Sequence, residues 1–90
     1  ISRAEAMNHV AGYACYNDGS IRDFQRHTHQ FTPGKNFPGT GAFGPWMMTP
    51  DELGDLAKKR IQTRLNGEVV QDALFEQMIF DIPRQIEYCS

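Results

Sequence analysis

The dipeptide Asn66-Gly67 constrains the fold of this chain more than any other local feature, because it separates two stretches with β-strand character. Apolar and polar side chains alternate from Ile61 to Leu65, and a second stretch, residues 68–71, follows the dipeptide directly. Asparagine and glycine both tolerate the positive φ angles that a type I′ turn requires at its two central positions. The sequence therefore predicts a β-hairpin over Arg60–Asp72.

Further short elements are indicated by capping residues, prolines and the spacing of apolar side chains. The predicted helices are Ser2–Val10 with Ser2 and Glu5 in capping-box spacing, a turn over Ile21–His27 capped by Ser20 or Asp18, a helix from Thr49-Pro50 to about Gly54, and a helix capped by Asp81 with Pro83 in its first turn. A buried strand is predicted in the second half of Val10–Tyr16. Together with the hairpin, these elements predict an α+β domain.

Glycine and proline are too dense between Thr28 and Thr49 for regular structure, except near Gly44–Met48. A long irregular stretch inside a small domain is uncommon and is usually functional. We therefore expect this stretch to carry part of a binding or active site.

Length and charge exclude several classes of function. Ninety residues form one domain at most, and folding at this size buries only about 60–65 % of the unfolded surface. Nine basic and eleven acidic side chains provide no basic surface for nucleic acid or an anionic membrane. The uncharged run Phe37–Pro50 contains three glycines and two internal prolines and cannot span a bilayer.

Cys15 and Cys89 are expected to be unpaired thiols, although one disulfide between them stays open.

The residues 18–25 concentrate two carboxylates, a guanidinium and an amide. Arg22 and Gln25 are three residues apart and would share one face of a helix, with Asp18 just before it. A carboxylate beside groups that can hold an anionic substrate suits a hard cation. The alternative to a cation site is that residues 18–25 form only a helix cap and a surface ion pair.

Three histidines and one lysine are further candidates. His27 and His29, with His9, invite a metal hypothesis, but their spacing with the two cysteines matches no zinc template. We expect His27 and His29 to serve substrate selection or loop packing. Lys35, which follows a glycine, would either bind an anion or be a solvated loop lysine; the chain lacks the residue order of a phosphate-binding loop.

Several motifs in one order resemble those of the fumarylacetoacetate hydrolase family and cover nearly the whole chain. They are Gly12-Tyr13, Asn17-Asp18-x-Ser20-x-Arg22-Asp23-x-Gln25, Gly34-Lys35-x-Phe37, Gly44-Pro45-Trp46, Thr49-x-Asp51-Glu52, Asn66-Gly67-Glu68 and Tyr88-x-Ser90. The resemblance implies a mainly β, mixed β-sandwich roll. Residues 1–90 would be the central part of its catalytic domain, incomplete at both ends.

The resemblance also implies a site and a reaction. Asp18 matches the carboxylate that binds a divalent cation, magnesium or manganese, with calcium able to replace it in crystals. Arg22, Gln25 and Lys35 match catalytic residues, and Gln25, Lys35 and Thr40 match substrate-binding residues. The family cleaves, hydrates, isomerises or decarboxylates small 2-oxo or 1,3-dioxo acids, in part in aromatic catabolism. A cytoplasmic homodimer is expected.

Some features depart from the family pattern. Gly19 stands where an apolar residue such as valine is common, which should loosen the backbone beside the ligand, and Arg26–Thr40 differs from the shorter common loop. The family's Glu-x-Glu metal ligands, the His-Glu pair of its lid and a downstream glycine-rich strand do not occur in the chain. We expect the ninety residues alone to be inactive. The alternatives are a non-catalytic structural or interaction segment of the same fold and a histidine-based metal-binding module.

Overall fold

A computed structural model describes all 90 residues, Ile1–Ser90, and the chain divides into two compact units. The central unit is Gly12–Met48, and the flanking unit combines Ile1–Ala11 with Thr49–Ser90. The strands and α-helices, in chain order, are β1 (Tyr16–Asp18), α1 (Arg22–Gln25), β2 (Gly41–Phe43), α2 (Pro50–Leu53), β3 (Arg60–Leu65), β4 (Glu68–Leu74) and α3 (Ile82–Cys89). Single 3₁₀ turns are formed by Ala6–His9, Thr32–Gly34, Leu56–Lys58 and Phe75–Gln77. The predicted mixture of helices and strands is present.

The central unit is built on an antiparallel pair of short strands. β1 pairs with β2 in a register that places Tyr16 opposite Phe43 and Asp18 opposite Gly41. The Gly19 N–H extends this ladder by donating to the Thr40 carbonyl at 3.0 Å. The ladder thereby aligns the end of β1 with the end of the loop that leads into β2.

Three predictions for the central unit were wrong. The stretch Thr28–Thr49 contains strand β2, which pairs with a strand far away in the sequence and therefore has no local signal. The strand predicted in the second half of Val10–Tyr16 overlaps β1 only at Tyr16, and β1 is exposed rather than buried. The helical turn after Ser20 exists as α1, but its N-cap is Ile21 and no side chain caps it.

The flanking unit contains the predicted hairpin. β3 and β4 pair antiparallel, and the turn residues Asn66 and Gly67 have φ angles of 51° and 88°. The register shifts between Thr63 and Arg64, which is a β-bulge. An ion pair between Arg60 and Asp72, with N and O 2.6 Å apart, links the two strands.

Of the three further capped helix ends predicted in the flanking unit, only that of α3 has a side-chain cap hydrogen bond. Ser2 Oγ donates to Glu5 Oε2 at 2.9 Å, but the predicted helix Ser2–Val10 is only a 3₁₀ turn at Ala6–His9. Helix α2 begins and ends as predicted, with Gly54 at φ 72° after its last residue. In α3, the Asp81 carboxylate accepts the Arg84 N–H at 2.9 Å, as predicted.

The chain buries very little apolar surface. Ala6 is the only buried hydrophobic residue, whereas Trp46 is 67 % exposed and Ile79 is 92 % exposed. No helix is long and apolar enough to cross a membrane. Cys15 and Cys89 are both exposed and unpaired. With so little apolar burial, the described contacts that join distant parts of the chain are the two strand ladders, single backbone hydrogen bonds and surface ion pairs.

The cap of α3 makes the stability of this helix dependent on pH. The Arg84 N–H, and then the Arg3 guanidinium, lower the pKa of the Asp81 carboxyl below its usual value. The cap contribution is therefore fully present above the unfolded-state pKa, about 3.9, and is lost as pH falls through the lower folded-state pKa.

We expect Asp81→Asn to remove this acid-dependent loss of stability. Thermal unfolding followed by circular dichroism between neutral and acidic pH would measure it, with Glu76→Gln as control. A wild-type pH profile in Asp81→Asn would contradict the assignment.

Candidate functional site

The structure brings together two of the predicted site residues, Asp18 and Lys35. Asp18 is the last residue of β1, and Lys35 follows the 3₁₀ turn Thr32–Gly34. The Lys35 ammonium forms an ion pair with Asp18 Oδ2, and Nζ also donates to Ser20 Oγ at 2.9 Å. The exposed fractions of the Lys35 and Asp18 side chains are 31 % and 53 %. Both groups are therefore open to a ligand from solvent.

Ser20 was predicted only as a helix cap, and its contact with Lys35 was missed. Its hydroxyl accepts from Lys35 and lies 3.3 Å from the Asp18 carbonyl oxygen, to which it donates. The signal in the sequence was the position of Ser20 within the motif that contains Asp18. A contact across the intervening loop could not be derived from that position alone.

Arg22 and Gln25 lie on one face of α1, as their spacing predicted. Arg22 Nη1 donates to Gln25 Oε1 at 2.5 Å. Gln25 is only 8 % exposed and is the one buried polar side chain of the protein. Because the guanidinium occupies its amide oxygen, Gln25 can offer a ligand its two Nε2 hydrogens. The pair therefore presents hydrogen-bond donors.

Gly34 holds the loop of residues 34–40, which carries Lys35, against α1. A Cβ atom at Gly34 would lie 2.6 Å from Gln25 Cβ and 2.7 Å from its backbone nitrogen. The Gly34 carbonyl accepts from the Ile21 N–H at 2.9 Å. Only glycine permits this approach between two backbones, so the position of Lys35 depends on Gly34.

Thr40 lies at the opposite end of the same loop and contacts Gly19, the residue after β1. Thr40 Oγ1 donates to the Phe37 carbonyl at 2.6 Å, so its hydroxyl hydrogen serves the loop, and substrate binding by Thr40 stays a prediction. A Cβ at Gly19 would lie 2.5 Å from the Thr40 carbonyl oxygen. The glycine at position 19 therefore permits a close backbone contact with Thr40. We had expected it to loosen the backbone, and the structure shows a tight contact there instead.

The histidines form no metal cluster. The His27 ring packs against Phe24 with centroids 4.9 Å apart, which is the predicted loop packing. His29 is exposed, and its part in substrate selection stays a prediction. No three His, Cys, Asp or Glu side chains come together as possible ligands of one metal ion.

Among the predicted site residues, only Asp18 offers a carboxylate as a ligand of a hard cation. Asp18 Oδ2 is paired with Lys35, and no group of the chain forms a hydrogen bond to Oδ1. Magnesium takes about six oxygen ligands and usually keeps several waters. Asp18 can therefore supply one carboxylate oxygen, and the remaining ligands would come from water, substrate or residues outside the ninety.

A groove of about 430 Å³ runs along α3 in the flanking unit. Its lining residues are Phe80, Arg84, Gln85, Tyr88 and Cys89. The lining contains no carboxylate, the side chain through which proteins usually bind magnesium. The predicted site residues all belong to the central unit.

Comparison with known proteins identifies related enzymes along the whole chain. The family model described as fumarylacetoacetate (FAA) hydrolase C-terminal matches residues 1–90. The chain is 37 % identical over 90 residues to the oxaloacetate tautomerase YisK of Bacillus subtilis, covering 100 % of this chain and 30 % of that protein. It is 36 % identical over 93 residues to the 4-hydroxyphenylacetate degradation bifunctional isomerase/decarboxylase of Salmonella dublin, covering 100 % of this chain and 21 % of that protein.

A solved structure shows the same fold. The fumarylacetoacetate hydrolase of the psychrophilic Exiguobacterium antarcticum matches with a TM-score of 0.92 and 34 % identity, over 100 % of this chain and 32 % of that one. The predicted mixed, mainly β fold is thereby confirmed. The chain spans about a third of the length, or less, of the proteins compared.

The close approach at Gly34 yields a prediction about stability. Gly34→Ala should lower the free energy of unfolding by about 1–3 kcal/mol, because the added methyl group meets the backbone of α1. Urea denaturation would measure the change. Asn36→Ala, an exposed position two residues away, is the control and should leave the midpoint unchanged. Equal midpoints for Gly34→Ala and wild type would show that the loop does not depend on this contact.

Proposed function

The chain belongs to the fumarylacetoacetate hydrolase family, and we propose on this basis that it supplies part of a divalent-cation-dependent active site for a small 2-oxo or 1,3-dioxo acid. One observation carries the proposal: the Lys35 ammonium meets the half-exposed Asp18 carboxylate, and the glycine before Lys35 packs against Gln25. Oxaloacetate, named for the Bacillus subtilis relative, is itself a 2-oxo acid. This name supports the substrate class.

Asp18 is proposed as a ligand of magnesium or manganese through its carboxylate. The bound cation would supply Lewis-acid polarisation of the substrate carbonyl group. Lys35 has three N–H donors, of which Asp18 and Ser20 take two. The third can donate to a substrate oxygen that gains negative charge during the reaction.

Gln25 is proposed as a second donor to that oxygen. Its amide oxygen accepts from Arg22, so its Nε2 hydrogens remain for the substrate. Arg22 thereby orients the amide and adds a positive charge beside it. Donors placed in advance where charge develops stabilise the transition state more than the ground state. Cleavage, hydration, isomerisation and decarboxylation of a 2-oxo acid all develop such charge, so the residues of the chain fit each of these reactions.

The proposed function extends to metabolic context, location and assembly. The name of the Salmonella dublin relative refers to 4-hydroxyphenylacetate degradation, which supports a place in aromatic catabolism. A cytoplasmic location and a homodimer stay predictions.

Removing the Asp18 carboxylate tests the cation site. In the complete polypeptide that carries these residues, Asp18→Ala should abolish magnesium-dependent turnover of a 2-oxo acid such as oxaloacetate. Circular dichroism should show an unchanged fold, because Asp18 is half exposed. Glu76→Ala, which removes an exposed carboxylate of the flanking unit, should retain activity. Full turnover by Asp18→Ala would rule out the proposed cation ligand.

Lys35 and Gln25 should act mainly in the transition state. Each single alanine variant should lower kcat by about 10²–10³-fold, as for loss of one oxyanion donor, with a smaller rise in KM. Steady-state kinetics with saturating magnesium would measure both constants. Lys58→Ala, at a lysine side chain that is 82 % exposed, is the matched control. A change confined to KM would mean that Lys35 and Gln25 only bind substrate.

A further inference from the structure

The Ser20 hydroxyl connects the end of β1 to the site lysine. Ser20 Oγ accepts from Lys35 Nζ at 2.9 Å and donates to the Asp18 carbonyl oxygen at 3.3 Å. Because its hydrogen is directed to the main chain, the oxygen lone pairs of Ser20 are left for the ammonium. The hydrogen bond to the last residue of β1 therefore orients the Ser20 oxygen that accepts from Lys35.

The backbone on both sides of Ser20 is fastened to the loop that carries Lys35. On one side the Gly19 N–H donates to the Thr40 carbonyl at 3.0 Å, and on the other the Ile21 N–H donates to the Gly34 carbonyl at 2.9 Å. Ser20 thus lies between two backbone hydrogen bonds to the two ends of that loop. Its hydroxyl is held at a fixed place relative to the loop.

We propose that Ser20 is a positioning residue that keeps Lys35 in the site when a cation occupies the Asp18 carboxylate. The inference rests on the proposed function, because it takes Asp18 as a cation ligand. With a divalent cation on Asp18, the Lys35 ammonium would be repelled and its ion pair with that carboxylate would weaken. Ser20 Oγ is the only other side-chain acceptor that the chain gives Lys35. A neutral hydroxyl holds the ammonium without competing for the cation.

The test compares Ser20→Ala with Ser20→Thr in the complete polypeptide at saturating magnesium. Ser20→Ala should lower kcat by about 10–100-fold, as for loss of an outer-shell partner, with KM for oxaloacetate little changed. Ser20→Thr, which keeps the hydroxyl, should restore most of kcat. Ser2→Ala removes a hydroxyl bonded to Glu5 in the flanking unit and should have no effect.

A second readout does not depend on activity. Acetylation of lysines by an N-hydroxysuccinimide ester, followed by mass spectrometry, reports how freely each ammonium group moves into solvent. With magnesium present, Ser20→Ala should raise the labelling of Lys35 relative to that of Lys58, whereas Ser20→Thr should not. Lys58 serves as the reference because its side chain is 82 % exposed. The labelling ratio stays informative even if Ser20→Ala lowers activity for another reason.

The outcomes separate this inference from the function it rests on. If Asp18→Ala is inactive but Ser20→Ala keeps both kcat and the wild-type labelling ratio, the role of Ser20 is wrong and the cation site stands. If Ser20→Thr behaves like Ser20→Ala, the hydroxyl is not the cause and the role is again wrong. If Asp18→Ala keeps full turnover, the proposed function fails and the role of Ser20 fails with it.

Discussion

Backbone hydrogen bonds between the loop 34–40 and the end of β1 support the rest of the central unit. Lys35 and Asp18 are 17 residues apart, so their contact requires the intervening chain to be ordered. Ordering the backbone of one residue costs about 1–2 kcal/mol, whereas an exposed ion pair contributes roughly 0.2–1 kcal/mol. The ion pair is too weak to hold the loop. The loop is held by the contacts of Gly34 and Thr40, and the ion pair forms because the lysine has been placed there.

Local chemistry made some elements predictable. The Asn66-Gly67 turn and the Asp81 cap depend on residues within a few positions of each other, so their signals are complete in a short window. β2 was not predicted, because Gly41-Ala42-Phe43 shows no alternation and its partner strand lies before α1. The capping roles of Ser20 and Asp18 were wrong because α1 begins at Arg22 with Ile21 at its N-cap, and both side chains bond to Lys35 instead. Such a competing contact arises only in the folded chain.

The candidate site was predictable as a set of residues and not as an arrangement. Motif resemblance selected Asp18, Arg22, Gln25 and Lys35, and the structure places Lys35 on Asp18 and Arg22 on Gln25. The role of Arg22 as the group that orients Gln25 follows from one hydrogen bond, which spacing alone did not specify. Gly34 was recognised as part of the motif Gly34-Lys35-x-Phe37, but its packing role was not predicted, since a glycine that permits close packing looks like any loop glycine in a sequence. Its importance is visible only through the backbone that it contacts.

The hairpin has a consequence for the colloidal behaviour of the chain. Each of its two strands has a hydrogen-bonded neighbour on one side only, so both outer edges present unpaired amide and carbonyl groups. Ile61 and Leu65 add apolar surface to the faces of the ribbon, with exposed fractions of 49 % and 63 %. Such edges template the addition of strands from other molecules, and charged side chains on the ribbon oppose it. On this ribbon the charged side chains are Arg60 and Arg64 of β3 and Glu68 and Asp72 of β4, and their charges oppose the addition of further strands.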